Sequence, residues 1–195
     1  MGEPGRIKTR DRILIAASAL FNAEGYGALS ALDIANALEI SPGHLYYHFK
    51  GKREIAAALI DQFEATLASQ LDAMLRRFSP AHPGPPAGLE TLEEALRALI
   101  ETGQSAAFLC REPAAVAPGR LARALKALRS ALAAMLEALG ARGLTSASAA
   151  ARDALAEHLA LAVVFAPTAR WLDGAAPDSA AIARRLMRLV APEKA

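Results

Sequence analysis

Four histidines, one cysteine and a short run of hydrogen-bonding aromatics carry most of the chemistry this sequence has to offer. The histidines are His44, His48, His82 and His158, and none stands at metal-ligand spacing from Cys110. His158 is adjacent to Glu157 and five residues from Asp153, so neither carboxylate shares a helical face with it. No glycine-rich phosphate loop and no nucleophile elbow is present. No catalytic residue, metal ligand or cofactor is therefore expected, and a buried, inert thiol is the ordinary reading of Cys110. What stands out instead is Ser41 to Arg53, SPGHLYYHFKGKR, where His44, Tyr46, Tyr47 and His48 crowd together beside Lys50, Lys52 and Arg53. Flat rings with polar tips, bordered by cations, suit the base edges and phosphates of a DNA groove.

Those residues need a small scaffold, and the local sequence spells one. Ser30 can cap a first short helix, with Asp33 three residues on as a capping box needs. Ile34, Ala35 and Leu38 give that helix an apolar stripe. Ser41 caps a second helix whose first residue is Pro42, where a missing N–H costs nothing. Leu45 and Phe49, four apart, turn one side of it inward, leaving Gly43, His44 and Tyr47 opposite, with Tyr46 and His48 flanking. The pattern is a helix-turn-helix. An earlier helix, from about Arg10 to Glu24, presents Ile13, Ala17, Leu20 and Phe21 as its buried stripe, with Thr9 as its cap and Gly25 as its stop.

SPGHLYYHFKGK resembles the recognition helix of the tetracycline-repressor (TetR) family of bacterial transcription regulators, and RILIAASALFNAEGYGALS resembles that family's first helix and turn. The resemblance covers about residues 8 to 60; beyond them only the Leu/Ala-rich helical style is shared. It implies a ligand-responsive repressor that binds a palindromic double-stranded DNA operator as a homodimer. By matching motif positions, Gly43, His44 and Tyr47 would approach base edges, while Ser41, Tyr46, His48 and Lys52 would fix phosphates. No arginine faces the groove, so the commonest guanine contact is missing. Two positions depart from the family pattern. Glu39 replaces the usual turn glycine, at a cost of roughly 1–2 kcal/mol if its backbone is left-handed. Ala31 replaces a small polar residue or threonine, which removes a phosphate donor.

Composition agrees with an all-α chain: 53% of residues are apolar, dominated by Ala and Leu. No apolar run reaches the ~18 residues of a membrane span, and no signal-like segment opens the chain, so a cytoplasmic address is expected. Net charge is +2, and residues 1–53 hold seven basic and five acidic groups, so the excess lies beside the helix-turn-helix. Arg6, Lys8 and Arg10 could extend it as an arm along the DNA. The expected organisation is a DNA-binding head over 1–53, closed by the start of a fourth helix, and a helical ligand-binding and dimerisation domain over 54–195.

That fourth helix spans about Lys52 to Phe78, and SPAHPGPPAG after it is a loop. Helices are expected over Leu89–Leu109, Arg120–Leu139, Ser146–Leu172 (kinked at Pro167) and Asp178–Val190, about nine in all. The resemblance places an effector among these helices, and Phe63, Met74, Phe78, Phe108, Cys110, Met135, Phe165 and Trp171 are the large or soft groups that would meet it. So few polar groups point to a largely apolar effector. It also makes the last two long helices the dimer surface, with Leu155, Leu159, Val163, Ile182, Leu186 and Leu189 as candidates; burial within one subunit is the alternative. Two other functional readings stay open. One is a helical ligand-binding or interaction protein that has lost DNA binding. The other is a thiol-responsive regulator acting through Cys110.

Overall fold

The computed structural model describes residues 8–117, 119–169 and 178–190. Ten α-helices occupy them, without strands: α1 (Thr9–Glu24), α2 (Ala31–Ala37), α3 (Pro42–His48), α4 (Lys52–Phe78), α5 (Leu89–Gln104), α6 (Phe108–Arg111), α7 (Pro113–Val116), α8 (Arg120–Gly140), α9 (Ala149–Phe165) and α10 (Ser179–Val190). A 3-10 turn, Ala166–Ala169, continues α9 and contains Pro167, whose missing N–H is incompatible with further α-helix. The helices expected from spacing are present, with three adjustments. The fifth ends at Gln104, not Leu109; the helix expected from Ser146 starts at Ala149, and its expected end, Leu172, lies outside the described residues; and Thr9 is the first residue of α1, not its cap.

Contacts divide the chain into two compact units. The first comprises the N-terminal residues through Phe63 together with a returning segment, Ser105–Gly119. Its core is Ile13, Leu14, Ala17, Phe21, Tyr26, Leu29, Ile34, Leu45, Phe49, Ile55 and Ile60, closed by Phe108 and Leu109 of the returning segment. Burial of each large side chain contributes about 1.5–3 kcal/mol, so the start of α4 and α6 both complete the head. The rings of Phe21 and Phe108 lie 5.4 Å apart, and Phe21 also meets Tyr26 edge-on at 5.4 Å. Asn22, buried beneath this contact, accepts the Phe108 N–H at 2.9 Å and donates to the Ser105 carbonyl at 3.2 Å. These bonds satisfy its amide in an apolar setting where an unmet polar group would be costly.

The second unit holds Glu64–Gln104 and the residues from Arg120 onward. In it α8 packs along α9, and α10 lies against α5 and α9. Leu96, Ile100, Leu132, Met135 and Leu159 are fully buried in it. Polar clasps fix the register: Thr102 donates to Gln70 at 3.0 Å, and Gln104 donates to Ser179 at 2.9 Å. Arg120 grips both carboxylate oxygens of Glu64, a planar fork matched to a carboxylate.

Candidate nucleic-acid interface

Two short helices and the turn between them set the site, and each is held by its own caps. The Ser30 Oγ accepts the Asp33 N–H at 3.2 Å while Asp33 takes the Ser30 N–H at 2.7 Å, completing the capping box. The Ser30 hydroxyl, which also donates to the Asp33 carboxylate at 2.6 Å, and the Ser30 N–H together hold that carboxyl below the usual carboxylate range. At the other end of α2 the Ile40 N–H reaches back to the Ala35 carbonyl at 3.1 Å. That bond spans the left-handed residue of a Schellman turn, and the residue is Glu39, with φ 54°. Ser41 then caps α3, its Oγ accepting the His44 N–H at 3.1 Å, with Pro42 in the first turn.

Leu45 and Phe49 are buried as their spacing requires, which fixes which face of α3 looks outward. On that face Ser41, Gly43, His44, Tyr46 and Tyr47 are exposed and His48 is half-buried. Tyr47 is 84% exposed, unusual for so large a ring in a folded head and suited to a surface that a partner covers. A Cβ placed on Gly43 would meet nothing within 4 Å, so the helix surface there is open to close approach. The His48 ring stands edge-on to Tyr47 at 5.1 Å and 5.5 Å from the His44 ring. Six of the seven predicted DNA contacts thus share one accessible side of a seven-residue helix and its cap.

Lys52 differs. Its ammonium donates to the carbonyls of Tyr26 (2.8 Å) and Leu29 (2.6 Å) and lies 4.2 Å over the Tyr26 ring. Those partners tie the turn before α2 to the start of α4 and leave the group committed inside the head. Exposed Lys50 and Arg53 flank α3 instead. Arg10, exposed at the start of α1, stacks its guanidinium 4.9 Å from the centre of the Phe49 ring. Arg6 lies outside the described residues. Sequence spacing gave no sign of Glu112, whose two carboxylate oxygens accept the Gly27 N–H at 3.1 and 2.9 Å. A Cβ on Gly27 would fall 2.7 Å from one of those oxygens, so the glycine is what admits the carboxylate.

The residues predicted to meet an effector are divided between the two units. Phe108 is 1% exposed in the core of the head and Phe63 packs against the same cluster, because the head needs both to close. Phe78 and Met135 are buried in the second unit, Met74 is half-buried there, Phe165 is 44% exposed, and Trp171 lies outside the described residues. Cys110 sits half-buried on α6, and burial pushes its thiol up to about 11. A shallow groove of about 240 Å³ between α8 and α9 has apolar walls of Ala122, Leu125, Ala160 and Leu161, rimmed by Lys126, Arg129 and Glu157. None of the eight predicted residues lines it.

The dimer candidates differ in their exposure. Leu159 and Val163 are 0% and 3% exposed, facing the core of their own subunit. Leu155, Ile182 and Leu186 are half-buried, and Leu189 is 59% exposed. Among the exposed residues of α9, Ala154, His158, Leu161 and Phe165 stand at the four-three-four steps of one helical face. Among the described residues no group of three or more His, Cys, Asp or Glu could hold a metal ion. No described helix is long and apolar enough to cross a membrane.

Residues 13–59 match the family model for bacterial regulatory proteins of the tetR family. The probable HTH-type transcriptional regulator YttP of Bacillus subtilis is 28% identical over 74 residues, which is 38% of this chain and 36% of that protein. The aligned stretch therefore spans little more than a third of that curated relative's length. Among solved structures, a TetR-family transcriptional regulator from Marinobacter aquaeolei VT8 superposes with a TM-score of 0.71 at 24% identity, covering 85% of this chain and 81% of the other. The regulator AibR, solved in complex with isovaleryl coenzyme A and operator DNA, gives 0.68 at 18% identity, over 94% and 98% of the two chains. At such identities the likeness is one of fold. The match of the head and the arrangement of the helices agree: residues 13–59 match the head of the tetR family of bacterial regulatory proteins, and the helical fold is shared with TetR-family regulators of known structure.

Proposed function

We propose that this protein is a cytoplasmic transcription regulator, a ligand-responsive repressor and not an enzyme, that binds a palindromic operator as a homodimer. The observation that carries this reading is the exposed, capped face of α3, where His44, Tyr46 and Tyr47 stand free of the core that Leu45 and Phe49 enter. Gly43, His44 and Tyr47 meet base edges; Ser41, Tyr46 and His48 set the register on phosphates, helped by Lys50 and Arg53. DNA contact belongs to residues 1–53, closed by the start of α4, and effector and dimer contacts belong to helices within 54–195. That AibR was solved in complex with isovaleryl coenzyme A and operator DNA supports a reading in which a protein of this fold takes both a small molecule and an operator. The effector proposed here is largely apolar, in keeping with the Ala/Leu-rich helices of the second unit. Release requires that it favour the arrangement that cannot bind DNA.

Fluorescence anisotropy with DNA from upstream of the protein's own gene, alongside random DNA, tests the assignment. Wild type binds the upstream DNA more tightly. His44→Ala erases that preference, losing about 1–3 kcal/mol on the operator alone. Tyr46→Phe weakens both DNAs alike, by about 0.5–1.5 kcal/mol. Equal losses on both DNAs for His44→Ala would remove this residue from base reading. Absence of any preference in wild type, with candidate ligands present or removed, would favour a helical protein that has lost DNA binding.

The thiol-responsive alternative draws no support from Cys110, since a thiol held near 11 carries little of the thiolate that reacts.

A further inference from the structure

His44 and His48 stand four residues apart on one face of α3, with ring centres 5.5 Å apart and the planes inclined by 36°. Two imidazoles bound to one tetrahedral zinc, at Zn–N distances of ~2.0–2.1 Å, place their ring centres ~5 Å apart. The observed 5.5 Å is close to that spacing. His44 is exposed and His48 half-buried, so both rings can be reached by an ion from solvent. Each ring must present one unprotonated nitrogen to the ion. We infer that His44 and His48 form a two-histidine chelate for a zinc-class transition-metal ion, on the face of α3 that otherwise meets DNA.

Among the described residues no third His, Cys, Asp or Glu completes the set, so water fills the remaining positions and the site stays open. Imidazole pairs select Zn²⁺, Cu²⁺ or Ni²⁺ over Mg²⁺ or Ca²⁺, which prefer oxygen donors. The ion and its waters would stand between α3 and the groove floor. Both imidazoles would also lose the lone pairs and orientations that base and phosphate contacts use. Metal and operator therefore exclude one another. This exclusion rests on the DNA-binding reading above; the chelate itself does not.

The test begins without DNA. Calorimetric titration of the full chain with ZnCl2 should find one chelating site per subunit, insensitive to excess MgCl2. His44→Asn and His48→Asn should each weaken it on the order of a hundredfold, because the second imidazole binds its ion intramolecularly. His82→Asn and His158→Asn should leave it intact. An unchanged affinity in His44→Asn, or no chelating site in wild type, overturns the proposal. In the second arm, zinc at saturation should release wild-type protein from its operator and EDTA should restore binding. Zinc that binds the chain yet leaves the operator complex intact, or tightens it, overturns the exclusion. Intact zinc binding in a chain that never prefers operator DNA would instead sink the DNA-binding reading alone.

Discussion

Glu39 is the residue at which the sequence and the backbone disagree most plainly. It occupies the left-handed position of the turn between α2 and α3 at φ 54°, where a side chain beyond Cα crowds the following carbonyl. Glu39→Gly should stabilise the protein by about 0.5–1 kcal/mol: the ~1–2 kcal/mol of left-handed strain, less the ~0.5–1 kcal/mol entropic cost of one more glycine. Denaturant unfolding should show a higher midpoint with an unchanged slope. A lower midpoint would mean that Glu39 makes a compensating contact. This position was legible in advance because its cause is local. The capped start of α3 fixes where α2 must end, and only one residue can then turn left-handed. The same holds for the caps of Ser30 and Ser41, each settled within three residues of sequence.

At the scale of elements, legibility stops where partners come from far along the chain. Asn22 meets Phe108 across 86 positions and Gly27 meets Glu112 across 85. Periodicity describes a helix's own face and says nothing of which distant helix covers it, so α6 and α7 gave no sign that they belong to the head. α9 shows a second limit. Its C-terminal half, Leu159 to Phe165, is apolar on every side, so spacing alone could not choose Leu161 over Leu159 as the outward residue. Lys52 shows a third, since motif position suggested a phosphate while its ammonium holds two carbonyls of the Tyr26–Leu29 turn. Lys52→Met should keep the stem's packing, lower stability by about 1–2 kcal/mol, and leave the salt dependence of DNA binding unchanged. A slope shallower by about one would put this ammonium on a phosphate after all.

At the scale of the molecule, a repressor of a palindromic site needs two heads about one helical turn apart, ~34 Å, and therefore a two-fold contact between subunits. Within the second unit the surface best suited to it is the outward side of α9 with the exposed edge of α10. Leu161, Phe165 and Leu189 are 38%, 44% and 59% exposed there, and large apolar groups gathered at a surface commonly mark an interface. Arg184, Arg185 and Arg188 are exposed on α10 as well. Phe165→Glu combined with Leu189→Glu should therefore turn the dimer into a folded monomer, read by light scattering with helical content unchanged. Operator affinity should fall by about two to four orders of magnitude as the two half-sites cease to be bound together. Leu159→Ala should act differently. It opens a cavity inside one subunit, costing about 2–5 kcal/mol of stability, while the association constant of the protein that remains folded is unchanged. If the double variant stayed dimeric, the groove between α8 and α9, where Leu161 lies beside Leu125 and Arg129, would become the next surface to disrupt.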